Sequence, residues 1–163
     1  MKNGKNDDNV LFYPKLNDIH EFIIERFNEI ENMGDLVKFH SINKYLIMSH
    51  SPKHLRILGN IVANHNRIKI DEVLEKYQKK LREALDSKPT TKSHYNTLQH
   101  ILGHFLPDLS TSEKRYFLLI LQNFRDEKSP LSEILEILKE STSKYDKKYL
   151  ARQTYFLLFT RMM

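Results

Sequence analysis

The sequence predicts an all-α fold, namely a single-domain orthogonal bundle of about seven to eight helices. Apolar residues recur at helical spacing along most of the chain, and capping residues precede several of these repeats. No useful stretch alternates apolar and polar residues as a half-buried strand would. The length of 163 residues suits one domain, and 4 glycines and 5 prolines are few for a many-stranded fold.

The first half of the chain predicts four helices. Residues 1–16 are polar and predict a disordered tail, so residues 17–163 form the predicted domain. The first helix follows Asn17 or Asp18 as its cap and is broken at Gly34. The second spans about 35–48, the third begins at Ser51 and Pro52 and reaches about 63, and the fourth follows a loop at 64–69 and spans about 71–87.

The second half predicts four more helices. They span about 91–106, 110–124, 130–140 and 146–163. Pro107 ends the first of these, Ser110 and Glu113 have the capping-box spacing that opens the second, and Pro130 opens the third.

Composition excludes several classes of function. The chain has no cysteine, which excludes a disulfide scaffold, a thiolate nucleophile, an iron–sulfur cluster and cysteine-ligated zinc. The 26 Lys and Arg exceed the 21 Asp and Glu, and the resulting charge of +5 permits a polyanionic partner without demanding one. The N-terminus has no apolar core of a secretory signal, and the longest apolar run, residues 116–121, has only six residues, so we expect a cytoplasmic protein that avoids membranes.

The second predicted helix carries the first candidate residues. His40, Ser41 and Lys44 share an arc beside its apolar stripe, and His50 follows at its exit. Imidazole, hydroxyl and ammonium groups together could form a phosphate or ribose site. A solvated polar edge has the same composition, so both interpretations stay open.

The third and fifth predicted helices add cationic and amide groups. Lys53 and Arg56 lie opposite the apolar stripe of the third helix, and Lys92, Asn96 and Gln99 lie opposite that of the fifth. The cations could contact phosphates, which supply much of the affinity for nucleic acids. Solvated helix surfaces are the alternative.

Gly103 lies within the fifth predicted helix, beside two histidines. A glycine inside a helix costs about 1 kcal/mol relative to alanine, so it predicts either a tight helix crossing or a ligand held near His100. His100 and His104 have the i, i+4 spacing of a metal pair, but no third ligand is indicated. We therefore predict neither a metal nor another cofactor.

The last predicted helix combines basic and aromatic residues. Arg152 and Tyr155 fall on one side of it, where they could hold a phosphate and stack on a base. Burial of the aromatic ring in the core is the alternative. No catalytic residues are predicted, because the sequence has neither a nucleophile-elbow motif nor a paired-carboxylate pattern.

Four segments, taken in order, resemble the YbgA-like family of bacterial and archaeal proteins. They are FHSINKYLIMSHS at 39–51, LGNIVA at 58–63, NTLQHILGHF at 96–105 and QTY at 153–155. The resemblance extends from about Ile19 to Tyr155. It implies a domain of unknown function that occurs alone or fused C-terminally to a thiouracil-desulfidase-like domain, where it is thought to assist recognition of thiolated transfer RNA.

The chain departs from the family pattern at several positions. Glu127 stands where family members often have glycine, His104 where tyrosine is common, and Phe124 where tyrosine is usual. The usual proline-bearing tail after Gln153 to Tyr155 is absent, and residues 156–160 read FLLFT. The lack of cysteine makes the chain resemble the stand-alone form, for which the resemblance implies no activity of its own.

We predict a non-catalytic RNA-binding module, with transfer RNA as the expected ligand. The residues predicted to contact RNA are His40, Ser41, Lys44, His50, Lys53, Arg56, Lys92, Asn96, Gln99, His100, Arg152 and Tyr155. The second and fifth predicted helices are expected to be neighbours and to form one composite site. Two alternatives stay open: a module that docks a thiouracil-desulfidase-like protein, and a small enzyme with a histidine acid or base.

Overall fold

A computed structural model describes residues 16–159 of the chain, in which ten α-helices form an all-α bundle. The predicted tail lies outside these residues, except that Leu16 begins the first helix. The helices are α1 (Leu16–Phe27), α2 (Met33–Ile42), α3 (Lys44–His50), α4 (Pro52–Ala63), α5 (Ile70–Asp86), α6 (Thr91–Gly103), α7 (Thr111–Arg125), α8 (Leu131–Lys144), α9 (Lys148–Ala151) and α10 (Thr154–Phe159), with a 3₁₀ turn at Leu106–Asp108. The predicted fold class is therefore confirmed.

Two predicted helices are each broken in two. The second ends at Asn43, whose backbone N–H and side-chain Nδ2 both bond to the carbonyl of Phe39, the latter at 2.8 Å. Asparagine competes with helix continuation in this way, and a separate helix, α3, begins at Lys44. The eighth predicted helix is broken at Arg152 and Gln153, between α9 and α10.

The predicted caps of α4 and α7 are confirmed. The Ser51 hydroxyl accepts a hydrogen bond from the N–H of His54 at 3.2 Å, and Pro52 occupies the first turn. Ser110 and Glu113 form both bonds of a capping box. Gly34, in contrast, lies inside the first turn of α2, because Asn32 caps that helix by accepting from the N–H of Asp35.

The short helix α3 lies at the centre of the bundle. It packs against α4, α5, α6 and α10, and Leu46 and Ile47 are fully buried. The buried apolar residues of the described chain form one cluster around it. The residues at the start of α3 are consequently held by several helices at once.

Glu127 adopts a left-handed conformation in the turn between α7 and α8. Its φ angle is 58°, which a side chain with a Cβ adopts at a cost of roughly 1 kcal/mol or more. This is the position where the resemblance predicts glycine, so the backbone explains the family preference. The side chain accepts a hydrogen bond from the hydroxyl of Thr91 at 3.3 Å.

No helix within residues 16–159 is both long enough and apolar enough to cross a membrane.

Candidate functional site

His104, the residue after α6, lies between two tyrosines. Its Nε2 shares a 2.6 Å hydrogen bond with the hydroxyl of Tyr45, and the two rings meet edge to face with centroids 6.1 Å apart. The ring of Tyr149 lies on another side, with its centroid 6.3 Å from that of His104 and the planes tilted by 47°. Burial, followed by the proximity of Tyr149, raises the pKa of Tyr45 to about 12, so this hydroxyl keeps its proton.

Three basic groups surround His104. Partial burial of the ring, followed by the positive charges of Lys44, Lys147 and His100, lowers the pKa of His104. The Lys44 ammonium lies 5.5 Å from the centre of the Tyr45 ring. His104 is therefore a neutral ring at neutral pH within a positively charged neighbourhood. We call Lys44, Tyr45, His104, Lys147 and Tyr149 the His104 cluster.

One carboxylate offsets part of this charge. Asp108 forms an ion pair of 2.6 Å with Lys147, and both side chains are partly exposed. The pair holds Lys147 beside His104, but it also reduces the attraction of the cluster for an anion.

The start of α3 and the start of α10 are joined by Gln153. This fully buried side chain donates from Nε2 to the carbonyl of Ser41 at 2.8 Å and accepts from the N–H of Tyr45 at 3.3 Å. The Tyr149 hydroxyl donates to the same Ser41 carbonyl at 3.4 Å. These bonds set the positions of both tyrosines that flank His104.

The backbone beside the His104 cluster is open. Gly103 is the last residue of α6 rather than a mid-helix residue, and a Cβ built there would have no heavy atom within 4 Å apart from its chain neighbours and the backbone of its own helix. The predicted tight helix crossing at Gly103 is therefore wrong. Space for a ligand remains next to His104.

The prediction that the two motif helices are neighbours is confirmed for α3 but not for α2, which carries His40. Helix α3 packs against α6, and Lys44 and His100 act on the same residue, His104. The other members of the predicted composite site lie outside the His104 cluster. His40 is hydrogen-bonded through Nδ1 to the hydroxyl of Tyr77 at 2.9 Å, and burial, then Lys44, lowers its pKa.

The remaining predicted residues lie at the surface or near it. Gln99 is exposed and donates to the hydroxyl of Tyr95 at 3.3 Å, whereas Asn96 is half-buried. Four exposed cations take no part in an ion pair or hydrogen bond within the described chain: Lys53, Arg56, Lys92 and Arg152.

Two predicted RNA contacts do not fit the structure. His50 is buried, its Nδ1–H donates to the carbonyl of Ser87 at 2.8 Å, and burial lowers its pKa to about 4. Tyr155 is fully buried, and its hydroxyl is hydrogen-bonded to Nδ1 of His94 at 2.7 Å. Neither side chain reaches a surface ligand in this fold, so the predicted stacking role of Tyr155 is wrong.

Tyr149 and Lys147 were missed as candidate residues. The sequence interpretation treated residues 146–163 as one helix and placed Arg152 and Tyr155 on its functional face. The break at Gln153 turns Tyr155 into the core and leaves Tyr149 42 % exposed. The signal that could have identified them is the basic and aromatic composition of residues 147–149, Lys-Lys-Tyr.

A second surface feature lies on α7. Tyr116, Leu118 and Leu119 are each more than half exposed, whereas Phe117 and Leu121 pack into the core. Tyr116 and Leu119 are three residues apart and therefore neighbours on the helix surface, and exposed apolar neighbours are typical of interaction surfaces.

The described residues contain no group of three or more His, Asp or Glu side chains that could hold a metal ion. The Nε2 atom of His104 is engaged by Tyr45.

Comparison with known proteins supports the resemblance seen in the sequence. A family profile described as "Protein of unknown function (DUF1722)" matches residues 44–159, which include the whole His104 cluster. The "Uncharacterized protein YbgA" of Escherichia coli strain K12 is 28% identical over 131 residues, which cover 80% of this chain and 78% of that protein. No solved structure matches the chain.

Proposed function

The chain belongs to the DUF1722 family of proteins of unknown function, and on that premise we propose that it is a non-catalytic RNA-binding module whose ligand is transfer RNA. The observation that carries the proposal is the His104 cluster. Basic groups lie around His104, the exposed ring of Tyr149 packs against it, and the backbone of the preceding residue, Gly103, is open. A transfer RNA ligand would place the protein in the cytoplasm.

The charge of the cluster suits phosphate. Lys44 and Lys147 come from α3 and from the turn before α9, and both act electrostatically on His104. Lysine contacts to phosphate give affinity without reading sequence, because they release condensed counterions. The exposed Arg152, three residues after Tyr149, could extend the contact to a neighbouring phosphate.

A salt titration of transfer RNA binding tests this proposal. Fluorescence anisotropy at several salt concentrations should show that Lys44→Ala and Lys147→Ala each weaken binding and each flatten the log–log salt slope by about 0.7 to 0.9. Lys79→Ala is the matched control, because Lys79 is an exposed lysine of α5 that lies with Glu72 and Glu75. It should leave affinity and slope unchanged.

A gain of affinity is expected from the opposite change. Asp108→Asn removes the carboxylate that pairs with Lys147, so transfer RNA should bind more tightly at low salt. If a folded, monodisperse sample of the wild-type protein binds no transfer RNA even at low salt, the proposal is overturned.

Docking of a thiouracil-desulfidase-like protein is the second candidate function. The observation that favours it is the exposed apolar pair on α7 formed by Tyr116 and Leu119. Leu119→Glu should abolish co-elution with a purified desulfidase-like protein and leave transfer RNA binding intact. Lys79→Glu, which makes the same kind of charge change at an exposed position of α5, a helix that does not pack against α7, is the control.

The enzyme alternative has no comparable support. It needs a closed pocket that joins both motif segments, with His40, His50 or His100 as the acid or base, whereas His40 bonds to Tyr77 on α5 and His50 bonds to the carbonyl of Ser87. We therefore do not propose a reaction for this protein.

A further inference from the structure

We infer that the His104 cluster accepts an unpaired nucleotide, whose base stacks on Tyr149, rather than a base-paired stem. The inference rests on the proposed RNA-binding function and adds to it the kind of RNA segment that is recognised.

The Tyr149 ring is both exposed and held in place. The side chain is 42 % exposed, yet its hydroxyl donates to the carbonyl of Ser41 and its ring lies against His104. Stacking a base on a free aromatic side chain costs the entropy of ordering that side chain. Here two contacts already restrict the ring, so less side-chain entropy is lost when a base stacks on it.

The backbone next to His104 is open to a flat ligand. Apart from its chain neighbours and the backbone of its own helix, no heavy atom lies within 4 Å of the position that a Cβ of Gly103 would occupy. Gly103 has a negative φ and no close neighbour, so the fold itself gives no reason for a glycine at this position. An approaching ligand would give one.

His104 can also form a hydrogen bond with a base edge. Its pKa is lowered and Tyr45 keeps its proton, so the Tyr45 hydroxyl can donate to Nε2 and leave the proton on Nδ1. Within the described chain Nδ1 has no hydrogen-bond partner. The neutral ring therefore presents a donor beside the stacking surface, while Lys44 and Lys147 are available for the adjoining phosphates.

A base-paired stem does not match these features. Bases inside an A-form helix are stacked on both faces, so an aromatic side chain cannot stack on them without opening the helix. Stems are instead held by contacts to phosphates and 2′-hydroxyls spread along the groove. One restrained tyrosine, one open glycine and a few nearby cations suit a base that has already left its stack.

The probes are a single-stranded 12-nucleotide RNA and a blunt 12-base-pair duplex that contains the same strand, both titrated by anisotropy. We expect the single strand to bind more tightly than the duplex. Tyr149→Leu should weaken single-strand binding by about 10- to 100-fold without changing the salt slope, because stacking releases no counterions. Tyr149→Phe should retain most of the affinity, since the ring remains.

Two further variants separate stacking from general damage. Gly103→Val should weaken single-strand binding by filling the open space, and Tyr116→Leu, at an exposed tyrosine on α7, should have no effect. Circular dichroism and thermal unfolding of each variant confirm that it is folded.

The outcomes distinguish this inference from the proposed function. If the protein binds transfer RNA through Lys44 and Lys147 but binds duplex and single strand equally, and Tyr149→Leu changes neither, the unpaired-base inference is wrong and the RNA-binding function stands. If no RNA binds at all, both are wrong.

Discussion

The side chain of Gln153 donates a 2.8 Å hydrogen bond to the carbonyl of Ser41, 112 positions earlier in the sequence. The same side chain accepts from the N–H of Tyr45. Gln153 is fully buried and lies at the break between α9 and α10, and Ser41 lies near the break between α2 and α3. One amide therefore joins the two interruptions that shape the His104 cluster.

Replacing Gln153 should destabilise the protein and disturb the cluster. Gln153→Leu leaves the buried carbonyl and N–H without this partner, and each such loss costs about 1 to 3 kcal/mol. Urea unfolding should show a loss of roughly 2 to 5 kcal/mol for the variant. Gln99→Leu, at an exposed glutamine, should change stability by less than about 0.5 kcal/mol. Equal effects of the two substitutions would contradict the assigned role of Gln153.

Local sequence signals account for most of the fold. The caps at Ser51 and Ser110, the loop at 64–69 and the apolar spacing act within a few residues, so helix positions could be predicted from them. The break at Asn43 could not, because the local bond of Asn43 to the Phe39 carbonyl acts together with the bond from Tyr45 to Gln153, which is distant in sequence. A continuous apolar stripe is equally compatible with one long helix or with two short ones.

The candidate site was predicted in part, for a similar reason. Lys44 and His100 could be identified because polar residues on a helix edge are visible in the sequence. The contact between α3 and α6 could be expected because both helices carry segments of the same family pattern. His50 and Tyr155 were misplaced because each has a buried partner that only the fold reveals. Polar groups on a buried face need such partners, and sequence spacing does not identify them.

Protein stability should depend on pH because of two buried imidazoles. Burial lowers the pKa of His50 and of His94 from 6.5 to about 4, and His50 further lowers that of His94. Between these values the unfolded chain binds more protons than the folded chain, so the free energy of unfolding rises with pH. Each group contributes roughly 3 kcal/mol that is fully present above pH 6.5 and is lost as the pH falls to about 4.

Urea unfolding between pH 7 and pH 4.5 measures this dependence. His50→Gln should make the stability curve flatter over that range, whereas His65→Gln, at an exposed histidine, should leave its slope unchanged. A wild-type stability that stays constant from pH 7 to pH 4.5 would contradict the burial of both imidazoles.

Glu127→Gly should stabilise the protein, although it removes a side chain that accepts a hydrogen bond from Thr91. Glycine adopts the observed φ of 58° without the steric cost that a Cβ imposes. We expect a net gain of about 1 kcal/mol in the free energy of unfolding. Glu127→Ala is the control, because it removes the hydrogen bond and keeps the Cβ. A loss of stability in both variants would show that the hydrogen bond outweighs the backbone strain.

The pKa of His104 should rise when RNA binds. In the free protein burial and the charges of Lys44, Lys147 and His100 lower it, and a phosphate near the two lysines would offset their charges. By linkage, RNA affinity should then increase as the pH falls and His104 becomes protonated. Nuclear magnetic resonance titration of the His104 ring, with and without saturating single-stranded RNA, measures the change directly.

In the free protein Lys44→Ala should raise the His104 pKa toward its usual value, and Lys79→Ala should not move it. A His104 pKa that is unaffected by bound RNA would place the RNA elsewhere on the protein, because a phosphate next to Lys44 and Lys147 cannot leave the neighbouring imidazole unchanged.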